Sequence, residues 1–222
     1  MSKLHRSRGF QIAVNRVEIA RVLGYRRSRI PKRVRVVLDE IEPTAREFVS
    51  PACVYRYMVH EELSQSEYLR CLDQVVLCLV TIGGRLEEEV ERYKHEGDLS
   101  RALILDTYGS AAAEAAADAA EMMIQREISC KELKCSSRFS PGYGEWDVVE
   151  QRWILPALQS ESLGVHLTEG CMMVPRKSIT FAVTYGETPV SLRDEGMCEV
   201  CGMVNCRFKR MGGEHPETRK EK

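Results

Sequence analysis

The longest helical signal in the chain runs from Leu99 to Ile128, and it limits the possible folds more than any other feature. Its segment Ser110 to Ala120 is rich in alanine, the residue with the highest intrinsic helix propensity. Helical spacing gives one apolar stripe (Leu105, Gly109, Ala112, Ala116, Ala119, Met123) and one more polar stripe (Thr107, Ser110, Glu114, Ala117, Glu121). Small side chains let a strand, a helix or a ligand approach such a helix closely. The pattern therefore predicts a central helix packed in the core.

Shorter signals surround this helix. The sequence predicts helices after Asn15 and Pro31, over Arg85 to Lys94 and over Trp146 to Leu158, and strands over Cys53 to Val59, Val75 to Ile82, Val165 to Met173 and Ser178 to Tyr185. The helices and strands do not alternate strictly, which favours an α+β fold over a doubly wound sheet. We expect one domain: an N-terminal helical segment at 1–45, an α+β core at 46–190, and a cysteine-containing segment with a charged tail at 191–222.

Charge and hydropathy exclude several classes of partner. The formal net charge of -1 provides no overall attraction to nucleic acid or to a membrane surface. Two basic stretches interrupt this balance, and we interpret them as a frayed terminus (Lys3, His5, Arg6, Arg8) and a solvated helix face (Arg26, Arg27, Arg29, Lys32, Arg33, Arg35). No apolar run has a membrane-spanning length, and the N-terminus does not resemble a signal peptide. The expected location is the cytoplasm, where the nine cysteines would be reduced.

The usual catalytic motifs are missing from the sequence. It contains no glycine-rich phosphate loop, no Gly-x-Ser-x-Gly turn and no pair of histidines at metal-ligand spacing on a helix. These absences argue against nucleotide triphosphate chemistry and against hydrolysis by a serine triad.

The loop Arg138-Phe-Ser-Pro-Gly-Tyr143 is the first candidate site. A guanidinium offers a fixed fork of donors that suits a carboxylate. Pro141 stiffens the chain, Gly142 permits a backbone conformation that a side chain would forbid, and Tyr143 supplies a flat amphipathic ring. The loop could hold an amino acid-like ligand, although the same residues are also compatible with a structured turn that carries a surface arginine.

This loop resembles the Arg-x-x-x-Gly-Tyr motif of the activation domain of cobalamin-dependent methionine synthase. The resemblance extends to Ala102–Asp106 with the alanine-rich helix, to the loop Arg138–Gly144 and to the segment Leu163–Ser178, which is similar to a hairpin of the small stand-alone members. It covers roughly residues 70 to 210. It implies a twisted, mainly antiparallel sheet packed by helices, with the ligand bound by the 46–190 core.

The resemblance also implies site residues. In the family the motif arginine contacts the carboxylate of S-adenosylmethionine, and this position is Arg138 here. The matching positions for backbone contacts and for the glycine and tyrosine are Ser140, Gly142 and Tyr143. Two glutamates line the family site, and they match Glu132, six positions before the arginine, and Glu114 on the alanine-rich helix.

The function that the resemblance implies is the reactivation of a corrinoid enzyme by reductive methylation. The cobalamin would be supplied by a partner, either a cobalamin-binding methionine synthase or another corrinoid protein. An electron donor such as a flavodoxin or ferredoxin would also be required. The cobalt performs the chemistry and the protein orients the sulfonium methyl group, so the chain would be an accessory component without its own acid or base.

A second candidate site is the cluster Cys198-x2-Cys201-x4-Cys206. Thiolates at this spacing suit zinc or an iron–sulfur cluster, with Cys171 or Cys135 as a possible fourth ligand, and unliganded reduced thiols fit equally well. Cys53, Cys71 and Cys78 are interpreted as buried packing residues.

Two alternative functions remain open. The chain could be a metal- or iron–sulfur-bearing interaction module of a corrinoid system that has lost S-adenosylmethionine binding. It could also transfer a methyl group directly to a small substrate or to another corrinoid protein.

Overall fold

The chain folds into one large antiparallel sheet with helices on both faces. The computed structural model describes residues 3–25 and 30–191. Its elements are β1 (Leu4–Arg8), α1 (Arg16–Val22), α2 (Lys32–Phe48), β2 (Ala52–Val59), α3 (His60–Leu63), β3 (Gln74–Thr81), α4 (Arg85–His95), α5 (Leu99–Ser129), β4 (Lys134–Cys135), α6 (Gln151–Ala157), β5 (His166–Leu167), β6 (Met173–Val174) and β7 (Ser178–Gly186). The predicted α+β class is confirmed.

The five strands of the main sheet lie in the order β1-β2-β3-β7-β4, and every neighbouring pair is antiparallel. β3 is the central strand, and its residues alternate between two hydrophobic clusters on opposite faces of the sheet. Val76 and Cys78 point to one cluster, while Val75 and Leu77 point to the other. Because both faces of the sheet are covered, β3 is apolar along almost its whole length. The strand predicted over Val75 to Ile82 is confirmed.

Helices α1, α2, α4 and α5 cover one face of the sheet. α5 is buried on more sides than the two stripes predicted, because it packs against the sheet and against the other three helices. Thr107 and Ala117 of the predicted polar stripe are therefore buried. α5 and α4 approach each other closely at Gly109, where an added Cβ would lie 2.6 Å from Cδ2 of Leu86 on α4.

None of the helices within the described ranges combines the length and the apolar character that crossing a bilayer requires.

The opposite face is covered by α6, the 3-10 turns beside it and the segment that contains Phe139 and Trp146. Two predictions for this region need correction. The helix expected from Trp146 to Leu158 is only Gln151–Ala157, preceded by a 3-10 turn at Val148–Glu150. The single strand expected from Val165 to Met173 is instead a two-stranded hairpin, β5 and β6.

The N-terminus is also not frayed as predicted. Leu4–Arg8 forms the edge strand β1, which pairs with β2 from Arg56 to Ala52. Arg6 donates a hydrogen bond of 2.7 Å to Gln159, and Arg8 donates one to the carbonyl oxygen of Ser162. The basic residues of β1 thus tie the sheet edge to the layer beside α6. Of the second basic stretch, Lys32, Arg33 and Arg35 lie on an exposed face of α2 as predicted, while Arg26, Arg27 and Arg29 lie outside the described residues.

The cysteines of the sheet and of the loops should react very differently. Cys53 and Cys78 are buried as predicted, whereas Cys71, also predicted to be buried, is exposed, as is Cys130. Burial raises the pKa of Cys53 to about 11 and the pKa of Cys78 well above its usual range. The thiolate is the reactive form, so both buried thiols should stay neutral and inert at mildly alkaline pH.

We therefore expect iodoacetamide to label Cys71 and Cys130 in the native protein, and Cys53 and Cys78 only after unfolding. Peptide mapping by mass spectrometry measures this directly, with the urea-unfolded chain as the control. Equal labelling of all four thiols in the native protein would contradict the burial of the sheet.

Candidate functional site

The segment from Lys134 to Phe139 runs along the outer edge of β7, and this pairing places the candidate arginine. Cys135 pairs with Tyr185 in β4, and Phe139 exchanges two backbone hydrogen bonds with Ala182, of 2.7 and 2.9 Å. Neighbouring residues in an extended chain point to opposite faces. Phe139 joins the cluster that contains Trp146, and Arg138 points to the α5 side of the sheet.

The guanidinium of Arg138 meets three carboxylates of α5. Its Nη2 lies 2.8 Å from Glu114, and its Nη1 lies 2.8 Å from Glu121 and also contacts Asp118. The backbone N–H of Arg138 donates a further hydrogen bond of 2.9 Å to Glu121. The Arg138 side chain is only 5% exposed, so the alternative of a structured turn that carries a surface arginine does not describe this arrangement.

Three carboxylates of α5 contact one guanidinium in this cluster. Burial alone would lower the pKa of Arg138, but the hydrogen bond to Asp118 and the charges of Asp118, Glu114 and Glu121 outweigh it and raise that pKa. Arg138 is therefore always protonated. The negative charges of these carboxylates favour a ligand that carries positive charge, provided that the ligand also satisfies the guanidinium.

The loop that follows Arg138 is a closed turn. The Gly142 N–H donates to the Trp146 carbonyl oxygen at 2.7 Å, and the Trp146 N–H donates to the Tyr143 carbonyl oxygen at 3.1 Å. Gly142 has a φ of 89°, a left-handed conformation that costs glycine little and other residues more, which explains its place in the motif. Tyr143 lies at the tip of the turn and is 56% exposed.

A buried aromatic layer supports the turn from below. The Trp146 ring stacks on Tyr68 at 5.3 Å between centroids and on Phe139 at 5.9 Å. The Trp146 indole N–H donates to Glu150 at 2.6 Å, and the same carboxylate accepts hydrogen bonds from Ser66 and from two backbone N–H groups of the loop before β3. The turn is therefore held by packing and by a shared carboxylate.

The structure brings some of the predicted site residues together and separates one. Glu114 pairs directly with Arg138, and Ser140 and Tyr143 follow it in the same turn. Glu132 instead lies exposed in the turn after α5, with a φ of 60°, and no hydrogen bond or ion pair joins it to Arg138 in the described part of the chain.

Asp118 and Glu121 of this cluster were not predicted as site residues from the sequence. Glu114, Asp118 and Glu121 are spaced by four and three residues, so they share one face of α5. That spacing was a usable signal. Nothing in the sequence indicated that the Arg138 side chain would point toward this face of α5.

A second buried cation lies further along α5. The Lys177 Nζ atom is 2.8 Å from Asp106 and donates to Ser110 at 2.9 Å. Asp106, Ser110, Glu114 and Asp118 follow one another at intervals of four residues and thus form a polar stripe on α5. This stripe, about 18 Å long at 1.5 Å per residue, is bounded by Lys177 and Arg138.

The predicted metal ligands Cys198, Cys201 and Cys206 lie outside the described residues. Of the two possible fourth ligands, Cys171 is buried and accepts a hydrogen bond of 3.2 Å from Arg152, and Cys135 is half-buried in β4. Among residues 3–25 and 30–191, no group of three or more histidine, cysteine or acidic side chains is placed to hold a metal ion.

Comparison with known proteins gives a family match and a fold match. The family model described as "Vitamin B12 dependent methionine synthase, activation domain" matches residues 52–189. No curated protein matches the chain. A solved structure titled "Crystal Structure of the MetH Reactivation Domain bound to AdoHcy" shares the fold with a TM-score of 0.54 at 16% sequence identity. The similarity covers 73% of this chain and 66% of that one, just under two thirds of the solved domain.

Proposed function

The chain belongs to the vitamin B12-dependent methionine synthase activation domain family, and from this premise we propose that it binds S-adenosylmethionine and supports reductive methylation of a partner's cobalamin. The partner would be a cobalamin-binding methionine synthase or another corrinoid protein. The observation that carries the proposal is the pairing of the Arg138 loop with carboxylates of α5 that reach solvent. The related MetH reactivation domain was solved with AdoHcy bound, which supports a ligand of the same chemical class here.

The charges of the Arg138 cluster suit S-adenosylmethionine. This ligand carries a carboxylate, an ammonium and a sulfonium. The guanidinium of Arg138 would bind the ligand carboxylate in place of one of its present carboxylate partners. Glu114 and Asp118, with side chains 47% and 60% exposed, can face the ammonium and the sulfonium. Glu121 is only 14% exposed and would stay in place as the fixed partner of Arg138.

The turn would hold the remainder of the ligand beside the reacting partner. The backbone of Ser140 and the tight turn at Gly142 would contact the ligand chain, and the exposed ring of Tyr143 would face the corrin. Glu132 remains a proposed lining residue. Its exposed position after α5 means that the chain near Leu133 would have to approach the ligand for Glu132 to contribute.

Cobalamin on the partner would supply the chemistry. One electron from a donor such as a flavodoxin or ferredoxin would return the oxidised cobalamin of the partner to the state that accepts a methyl group. S-adenosylmethionine would then give its methyl group to the partner's cobalamin, the carbon–sulfur electron pair would stay on sulfur, and S-adenosylhomocysteine would be released. The residues of this chain have no proton to move, and their role is to hold the methyl group in line with the cobalt. This role is consistent with the missing catalytic motifs.

Two measurements test the proposal. Isothermal titration should show one S-adenosylmethionine bound per chain. The absorbance of a corrinoid partner in the cob(II)alamin state should then change to that of methylcobalamin only when the chain, the reductant and S-adenosylmethionine are all present. A folded chain that takes up no S-adenosylmethionine at millimolar concentration would contradict the proposal.

The alternative is an interaction module that has lost the ligand, and one observation favours it: both terminal nitrogens of Arg138 are already bonded within the chain. Under this alternative, Cys198, Cys201 and Cys206 would hold zinc or an iron–sulfur cluster. The cysteine site remains a proposal. Metal analysis of the chain purified without oxygen, compared with Cys198→Ser, tests it, and equal metal content in both would remove the site.

A further inference from the structure

The three carboxylates around Arg138 are not equivalent. Glu121 is nearly buried and accepts hydrogen bonds from both the backbone N–H and the guanidinium of Arg138. Asp118 is the most exposed of the three, and it contacts Nη1 of the guanidinium, which Glu121 also holds. Glu114 accepts a hydrogen bond from Nη2. Asp118 can therefore leave without depriving either nitrogen of a bonded carboxylate.

The geometry also limits how a ligand could reach Arg138. The guanidinium is almost completely enclosed, and its two terminal nitrogens face the carboxylates of α5. An incoming carboxylate has to take the place of a carboxylate that is already there. Like charges four residues apart on a helix repel each other, so Asp118 and Glu114 oppose each other's presence at the same cation.

From these contacts we infer that Asp118 is an internal competitor for the ligand carboxylate: it occupies Nη1 of Arg138 in the free protein and gives way when an amino acid-like ligand binds. This inference rests on the proposed function and names the residue that sets the affinity of the site. The exchange replaces one carboxylate by another on the guanidinium, and the displaced Asp118 can then face the ammonium of the ligand. Since one carboxylate replaces another, the buried Arg138 guanidinium keeps an anionic partner throughout, and binding does not have to leave it unpaired.

The competition can be isolated by comparing two ligands that differ only in the carboxylate. S-adenosylmethionine has it, and decarboxylated S-adenosylmethionine does not. Titration of both into the wild-type chain and into Asp118→Asn gives a ratio of affinities for each protein. Removing the competitor should raise the preference for the carboxylate-bearing ligand by about tenfold, within the range of coupling between groups in contact.

A matched control is Asp39→Asn. Asp39 also lies on a helix, is also 60% exposed and also pairs with an arginine, Arg16, but it belongs to α2. Its replacement should leave the ratio unchanged. Near-ultraviolet circular dichroism should show that both variants keep the native packing, because neither carboxylate is buried.

Each other outcome decides against the inference. A ratio that does not change in Asp118→Asn, including the case in which both affinities fall equally, would show that Asp118 does not compete with the carboxylate, while the proposed function would stand. Wild-type chain that binds neither ligand would instead overturn the proposed function, and the inference with it.

Discussion

Replacing Arg138 with alanine is expected to abolish detectable S-adenosylmethionine binding and to destabilise the protein by about 2–3 kcal/mol. The change removes the fork that would bind the ligand carboxylate. It also leaves the nearly buried Glu121 without its cation, beside Glu114 and Asp118 on the same helix face. Removing one partner of a buried ion pair is costly because the remaining charge stays desolvated, and the exposure of Asp118 and Glu114 moderates the cost here. Titration calorimetry and urea unfolding measure the two effects separately.

Two further variants make the Arg138 result specific. Arg138→Lys keeps one positive charge but loses the planar fork, so it should recover most of the stability and little of the affinity. Arg126→Ala removes an exposed arginine of α5, the helix that carries the three carboxylates, and should change neither the stability nor the affinity. Unchanged affinity in Arg138→Ala would remove this residue from the site, and unchanged unfolding would show that the carboxylate cluster does not stabilise the fold.

Replacing Trp146 with alanine should have the largest effect on stability, a loss of about 3–5 kcal/mol. Trp146 is among the largest fully buried side chains, and its ring supports both Tyr68 and Phe139. Its removal leaves a cavity and also frees the Glu150 carboxylate that the indole N–H occupies. Because Phe139 is adjacent to Arg138, we expect the turn to lose its fixed position and ligand affinity to fall as well.

The matched variant is Trp146→Phe, which keeps a ring in the stack and loses the indole N–H. Urea unfolding should show a smaller loss for it, about 1–2 kcal/mol, the cost of one buried hydrogen bond to a charged group together with some volume. If the alanine and phenylalanine variants lost the same amount, the hydrogen bond to Glu150 would be the dominant contribution, and the aromatic packing would matter little.

The strongly patterned elements could be predicted from the sequence. α5 follows from a long run of helix-forming residues, and β3 follows from a continuous apolar run bounded by two glycines. These signals are local, because helix propensity and buried strands depend on residues close together in the chain.

The edge strand β1 could not be predicted in this way. Leu4–Arg8 is mostly polar, and it becomes a strand because β2 offers an unpaired edge and Gln159 and Ser162 accept its arginines.

The same division holds for the site. The motif residues Arg138, Gly142 and Tyr143 are recognisable in the sequence because a turn needs a proline and glycine at fixed positions, and the family match covers the segment. The direction of the Arg138 side chain is not a local property. It depends on the pairing of Phe139 with Ala182, which turns the neighbouring guanidinium toward α5, and on a helix that presents three carboxylates there. The sequence alone thus determined which residues form the loop, whereas the packing of a strand edge against a distant helix decided that the arginine is already paired.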